Sequence, residues 1–261
     1  MYCWWLLRLL TGYGQMRRQM TRSGLRRYLY AAAAILLLFL MYRWFTRRPE
    51  PSPMYGYRGE IMASEPSKPK LNTVRLEIYM ESLCPDTSRF LHKQLMKAWS
   101  LLSSTNRIEL VLVPFGKARC VAKGDDFECS CQHGAAECTL NQLMNCVIDR
   151  LGYPDQIVPI VDCIQGKGTL DNAMNSCITN SALLDAQEMR TCATGPRGRR
   201  LLAIAGSKTA ALSPRLDFVP WIMIDGERNS DALYDLHENL CKKLEPAPEA
   251  CSDVLQKVHV E

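Results

Sequence analysis

One short stretch constrains this chain more than any other, because it places a cysteine where a strand hands over to a helix. It reads Leu76-Glu77-Ile78-Tyr79-Met80-Glu81-Ser82-Leu83-Cys84-Pro85-Asp86-Thr87-Ser88. Val74, Leu76, Ile78 and Met80 alternate with Arg75, Glu77 and Tyr79, the period-2 pattern of a half-buried strand. Ser82 to Asp86 breaks that pattern. From Ser88 onward, Phe90, Leu91, Leu95, Ala98, Trp99 and Leu102 recur at helical spacing. Cys84 therefore falls near the first turn of a helix, where unpaired N–H groups and the positive end of the helix dipole favour an anion such as a thiolate.

The spacing that usually completes such a site is Cys-x-x-Cys, and here the fourth position is Thr87. Two readings of the stretch alone stand side by side. Cys84 is a redox-active thiol with a hydroxyl in the resolving position, or it is an ordinary structural cysteine at a helix start.

Charge is unevenly divided along the 261 residues. Residues 1–49 hold nine arginines and no acid, and 32 basic residues less these nine leaves 23 against 27 acidic side chains in the remainder. A slightly acidic main domain disfavours nucleic acid as a partner. The basic segment brackets an uncharged run from Tyr28 to Tyr42. At fifteen residues this run is short of the roughly 17–25 that span a bilayer, but Trp44 and Phe45 extend it if Arg43 snorkels. Residues 28–45 are thus expected to form a transmembrane signal-anchor helix, with Tyr28, Tyr30, Tyr42 and Trp44 as an aromatic belt. A cleaved signal peptide is the rival, weakened by the absence of a small-residue cleavage site after Leu40. More arginines precede the run than follow it, so residues 1–27 are expected to be cytosolic and the bulk of the chain lumenal or extracellular, a single-pass type II arrangement. Residues 46–71, with five prolines, read as a stalk. The folded domain is expected over 72–244, followed by a loosely ordered tail over 245–261.

Of twelve cysteines, eleven lie beyond residue 49. In a compartment that permits disulfides, this density reads as a cross-linked framework. Eleven is odd. Five bridges among Cys120, Cys129, Cys131, Cys138, Cys146, Cys163, Cys177, Cys192, Cys241 and Cys251 would leave Cys84 as the free thiol, with Cys241–Cys251 a plausible short-range pair. Cys129, Cys131, His133 and Cys138 can be drawn as a zinc site, but the spacing does not match paired C-x2-4-C knuckles, and no metal is expected. His133 acting as base to Cys84 in a cysteine hydrolase lacks an evident Asn or Asp partner.

Further along, Ile108–Pro114 reads as a buried strand, so strand, helix and strand form a βαβ unit with a parallel pair. Helical patches follow within the cysteine-rich region, at residues 139–150, 156–163, 182–190 and 199–212. Residues 217–226 read as a strand ending in an Asp-Gly turn, and Ala232–Leu244 as an amphipathic helix. This order predicts an α/β thioredoxin-like fold with an inserted, disulfide-bonded, cysteine-rich helical subdomain over about 116–212. Val219-Pro220 would then be the cis-proline loop facing the active thiol.

The run Cys131-Gln132-His133-Gly134-x-x-Glu137-Cys138-x-x-Asn141-x-x-x-x-Cys146 resembles the signature of the gamma-interferon-inducible lysosomal thiol reductase family. Tyr79-x-Glu81-Ser82-Leu83-Cys84-Pro85-Asp86 is similar to that family's active-site stretch, and Phe218-Val219-Pro220-Trp221 with Asp225-Gly226 to its proline loop. The resemblance covers roughly residues 72–244. It implies reduction of protein disulfides in an endosomal or lysosomal lumen. Cys84 takes the place of the attacking cysteine, and Pro85, Val219 and Pro220 the substrate-binding positions. Thr87 stands where the family's second cysteine belongs, so release of a mixed disulfide needs an external small thiol or the substrate itself. No tightly bound cofactor is expected. Thr87 is assigned a hydrogen bond to the thiolate, and no Asn-x-Ser/Thr acceptor for an N-glycan occurs.

Two functions of different class follow. One is a membrane-anchored lumenal thiol–disulfide oxidoreductase with a single nucleophilic cysteine. The other is a catalytically impaired thioredoxin-like module that captures cysteine-containing clients in its proline groove without turnover.

Overall fold

The computed structural model describes residues 22–46 and 71–257, which belong to separate compact units, residues 1–65 and 66–261. The expected stalk, all of the cytosolic segment before Arg22, and Cys3 lie outside the described residues. In the first unit, α1 (Arg22–Thr46) covers the expected span, and Ile35 to Tyr42 are exposed along it. The expected transmembrane helix is not shown: among the described residues, no helix is long and apolar enough to cross a membrane. The physical reason is in the sequence, where the uncharged run ends after fifteen residues at Arg43.

The second unit is built on a four-stranded mixed sheet in the order β2-β1-β5-β6. β1 (Val74–Met80) occupies its centre, pairing in parallel with β2 (Ile108–Pro114) and antiparallel with β5 (Trp221–Ile224). β6 (Glu227–Arg228) closes the edge against β5. Val74, Leu76, Ile78 and Met80 are fully buried, as their alternation predicts, and Tyr79 is buried on the opposite face. A parallel β1–β2 pair needs a crossover, and α2 (Pro85–Phe90), a π-turn (Leu91–Leu95) and α3 (Met96–Leu102) supply it. Phe90, Leu91, Leu95, Ala98 and Leu102 turn inward from this crossover.

Between β2 and β5 lies the disulfide-bonded insertion: α4 (Ala135–Leu151), α5 (Pro154–Ile164), α6 (Leu170–Ala173), α7 (Ala186–Thr194) and α8 (Pro196–Ala210). This is the thioredoxin-like architecture that the order of elements implies. The insertion also contains a hairpin that the sequence reading passes over, β3 (Arg119–Lys123) and β4 (Asp126–Ser130). Its strands are largely exposed, so no apolar alternation announces them, and the pair is cross-linked by Cys120–Cys129 at one register position. All ten expected cysteines are paired. Cys146–Cys192 joins α4 to α7, and Cys163–Cys177 joins α5 to the turn after α6. Cys131–Cys138 closes the loop that enters α4.

Two boundaries differ from expectation for local reasons. The strand expected from Asp217 begins only at Trp221, because Pro220, after a cis peptide bond, has no N–H to give the ladder. The helix expected over 232–244 splits into a 3-10 turn at Asp231–Leu233 and α9 (Leu236–Cys241). Asp235 interrupts it, its side chain accepting the Glu238 N–H at 3.1 Å as a helix N-cap. The tail is better ordered than expected, since Cys241–Cys251 ties it down and α10 (Ser252–Lys257) follows. Arg107 is also buried, and its guanidinium donates to the carbonyls of Asn72, Glu245 and Pro246, joining both ends of the domain.

His237 on α9 is buried, and neither ring nitrogen has a partner with hydrogen-bond geometry. Burial pushes its pKa below the ordinary 6.5, outweighing the Ala250 backbone. The unfolded chain therefore binds this proton more readily than the folded one. Stability from neutral His237 is present above the unfolded value and is lost as pH falls below it. Denaturant unfolding of wild type is expected to show lower stability at pH 5 than at pH 7. In His237→Gln that difference shrinks; an unchanged difference would assign the acid sensitivity to other groups.

Candidate active site

The site is assembled on the four residues that leave β1. Glu81 and Ser82 are fully buried, so the polar groups of this turn need partners inside the protein. They find them on the insertion. Asn141 of α4 accepts the Ser82 N–H at 2.9 Å, and the Ser82 hydroxyl donates to the Glu137 carbonyl at 3.2 Å. Gln165, just after α5, donates from its amide to the Glu81 carbonyl at 2.9 Å and to the Ser88 hydroxyl at 3.1 Å. The Gly166 N–H reaches the Ser82 carbonyl at 2.8 Å. The turn is thus held from two helices before it delivers Cys84.

Cys84 is the N-cap of α2, extended at φ −70° and ψ 124°, with Pro85 as the first helical residue. It is half-buried and is the free cysteine among the described residues. Its Sγ donates to the Val219 carbonyl at 3.7 Å, across from the cis Val219–Pro220 bond. This is the juxtaposition of thiol and proline loop that the order of elements predicts. A residue the sequence reading missed holds that loop: Arg228 lies 3.9 Å from the centre of the Trp221 ring and 4.8 Å from that of Phe218. Beside Val219 and Pro220 opens a cavity of about 270 Å³, lined also by Phe90, Phe218, Arg89 and Tyr234. Its lining is partly apolar, with Arg89, Lys93 and Asp86 as the charged groups and Arg89 paired to Asp86.

Thr87 is one turn into α2 and fully buried. Its hydroxyl has no hydrogen-bond partner, which corrects the expectation that it bonds the Cys84 sulfur. Packing in the helix turns it inward, among the side chains beneath the site.

The zinc reading of the cysteine-rich run is overturned as well, because Cys129 pairs with Cys120 and Cys131 with Cys138. His133 is not set up as a base to Cys84 through Nδ1, which instead lies 2.6 Å from Glu137 Oε2 and 3.7 Å from Glu81 Oε2. Burial pushes the Glu81 carboxyl up, with the Glu137 carboxylate adding to it; the Lys117 N–H and His133 counteract. Gly116, at φ +57°, leaves room for this group, since a Cβ there would stand 2.0 Å from Glu81 Cγ. His133, Glu137 and Asn141 are legible in the sequence as motif residues, but their convergence on Glu81 and Ser82 is not. Gln165 and Arg228 carry no sequence signal.

Residues 75–181 match the family model described as gamma interferon inducible lysosomal thiol reductase. A GILT-like protein of Caenorhabditis elegans is 51% identical over 247 residues, covering 92% of this chain and 76% of that protein. The gamma-interferon-inducible lysosomal thiol reductase of Carassius auratus is 33% identical over 193 residues, 70% of this chain and 74% of its own length. The mouse protein of that name is 29% identical over 184 residues, 69% and 73% of the two chains. Among solved structures, MdbA, a thiol-disulfide oxidoreductase from Actinomyces oris, overlays with a TM-score of 0.51 at 14% identity, covering 68% of this chain and 83% of its own; at that identity the likeness shows the fold alone. The family and the thioredoxin-like fold together support a thiol–disulfide oxidoreductase. With a relative 51% identical along most of both lengths, the chain belongs to the gamma-interferon-inducible lysosomal thiol reductase family.

Proposed function

We propose that this protein reduces protein disulfides with Cys84 as its single nucleophilic thiol. The observation that carries the reading is a half-buried, unpaired Cys84 at a helix start, facing the carbonyl before a cis-proline, while ten neighbouring cysteines are consumed in bridges. The Cys84 thiolate attacks one sulfur of the substrate disulfide, forming a mixed disulfide and expelling the other sulfur as a thiolate, which takes up a proton. Thr87 offers no second sulfur. An external small thiol then attacks the mixed disulfide, and a second one completes the exchange. For each substrate disulfide reduced, two small thiols are oxidised to one small disulfide and Cys84 is regenerated. No tightly bound redox cofactor takes part. Pro85, Val219 and Pro220 bound the face on which the substrate lies, and a main-chain pairing there presents its sulfur to Cys84.

The compartment proposed is the lumen of the endosomal, lysosomal or secretory pathway, or the cell exterior. Five disulfides suit an oxidising compartment, and the names of the relatives include "lysosomal". We further propose that α1 tethers the domain to a membrane in a type II sense, on the grounds of its exposed apolar residues Ile35–Tyr42 and the arginines preceding the run. The short run reaches spanning length only if Arg43 snorkels, so extraction into alkaline carbonate would refute integration, and retention in the pellet would support it.

For the chemistry, Cys84→Ser is expected to lower reduction of a model protein disulfide by at least about a thousandfold, since Cys84 is the free thiol among the described residues. Thr87→Cys, a near-isosteric change at a buried position, is expected to raise turnover at limiting small thiol. Equal rates in wild type and Cys84→Ser would refute the mechanism. Cysteine-dependent capture without turnover in wild type would instead favour a client-binding module.

A further inference from the structure

The CQHG run and the start of the active-site turn meet in a cluster that the redox chemistry does not use. Glu81 Oε2, Glu137 Oε2 and His133 Nδ1 lie within 4.8 Å of one another. Each carboxylate is turned the same way. Glu81 Oε1 accepts the Lys117 N–H at 2.5 Å, and Glu137 Oε1 accepts the His133 N–H at 3.1 Å. The backbone thereby fixes one oxygen of each group and aims the other at a common centre, as outer hydrogen bonds orient metal ligands. The two carboxylates are essentially fully buried, whereas the His133 side chain is 35% exposed and leaves that side open to solvent. Glu81 Oε2 is buried and, among the described residues, has no hydrogen-bond partner, with His133 Nδ1 standing 3.7 Å away, so one donor atom aimed at the centre lacks a proton donor. A cation placed between the two buried carboxyl groups would offset their mutual repulsion and the cost of burying them.

We propose that Glu81, His133 and Glu137 form a binding site for one divalent cation of the zinc class. One imidazole nitrogen and two carboxylate oxygens are an ordinary donor set for such an ion, with a fourth position facing solvent. Tetrahedral coordination at about 2.0–2.2 Å places donors roughly 3.3 Å apart. The 2.6 Å and 3.7 Å separations at His133 bracket that value, and all three donor atoms lie within 4.8 Å of one another. The Cys131–Cys138 bridge closes the loop carrying His133. The site therefore differs from the zinc knuckle conceivable from sequence, whose cysteines are oxidised, and it departs from the metal-free expectation. It also ties the insertion to the strand end three residues before Cys84.

The test is zinc uptake by the full chain at neutral pH, measured by competition with a chromophoric chelator, together with the visible spectrum after Co2+ loading. Wild type is expected to take up one ion per chain, with d–d bands and no thiolate charge-transfer band. Glu81→Gln, Glu137→Gln and His133→Ala should each weaken uptake by at least about tenfold, while Cys84→Ser retains it. His133 is partly exposed, so His133→Ala keeps the test open if a buried glutamate variant fails to fold; retained disulfides and far-UV dichroism check each one. Absence of stoichiometric uptake by wild type would overturn the proposal and leave the cluster as a proton-sharing carboxyl pair. Uptake that survives Glu81→Gln or His133→Ala, or that disappears with Cys84→Ser, would overturn it too, the last by placing the ion on the thiol.

Discussion

The site depends on a buried turn whose backbone cannot reach water. Where β1 ends, Glu81 and Ser82 are fully enclosed, and each unpaired N–H or carbonyl there would cost about 1–3 kcal/mol. Asn141 and Gln165 satisfy those groups from α4 and the end of α5, and in doing so set the position from which Cys84 emerges. The insertion is therefore more than a covering layer. It supplies the hydrogen bonds that fix the turn carrying Cys84, and the bridges Cys146–Cys192 and Cys163–Cys177 brace the helices that supply them.

Opposite the turn, a second element is held with equal care. Pro220 cannot pair in the sheet, so the Val219 carbonyl just before β5 is left to meet the Cys84 sulfur. Arg228, stacked on Phe218 and Trp221, keeps that loop from folding away. The thiol is consequently presented half-exposed, between a helix start and the Val219 carbonyl, whose residue also lines the neighbouring cavity. In the proposed mechanism the buried Thr87 offers no second sulfur, so release of a mixed disulfide falls to an external thiol.

Much of this was legible because it rests on short-range pattern. The alternation of Val74, Leu76, Ile78 and Met80 marks a central strand, and the break at Ser82–Asp86 marks the corner. An odd number of cysteines beyond residue 49 points to one free thiol, and Cys84 is free. What was not legible depends on long-range convergence or on exposure. Gln165 reaches across 84 residues to the Glu81 carbonyl, and no local pattern signals such a contact. The β3–β4 hairpin buries no residue fully on either strand and so lacks the apolar code that reveals strands. Thr87 reads from sequence as a polar partner for sulfur, but it is fully buried in the helix and its hydroxyl has no hydrogen-bond partner. The span over residues 28–45 shows the limit of composition: its uncharged part is fifteen residues, and spanning length is reached only with Arg43 at the interface.

The central claim, one nucleophilic sulfur without an internal resolving partner, is tested most directly by mixing the reduced-site protein with a peptide disulfide in the absence of small thiol. Mass spectrometry of the unreduced digest then locates any adduct. The account predicts a peptide disulfide-linked to Cys84 that persists until glutathione or cysteine is added and then disappears as turnover begins. Multiple turnovers without small thiol, or an adduct on any of the ten bridged cysteines instead of Cys84, would contradict it.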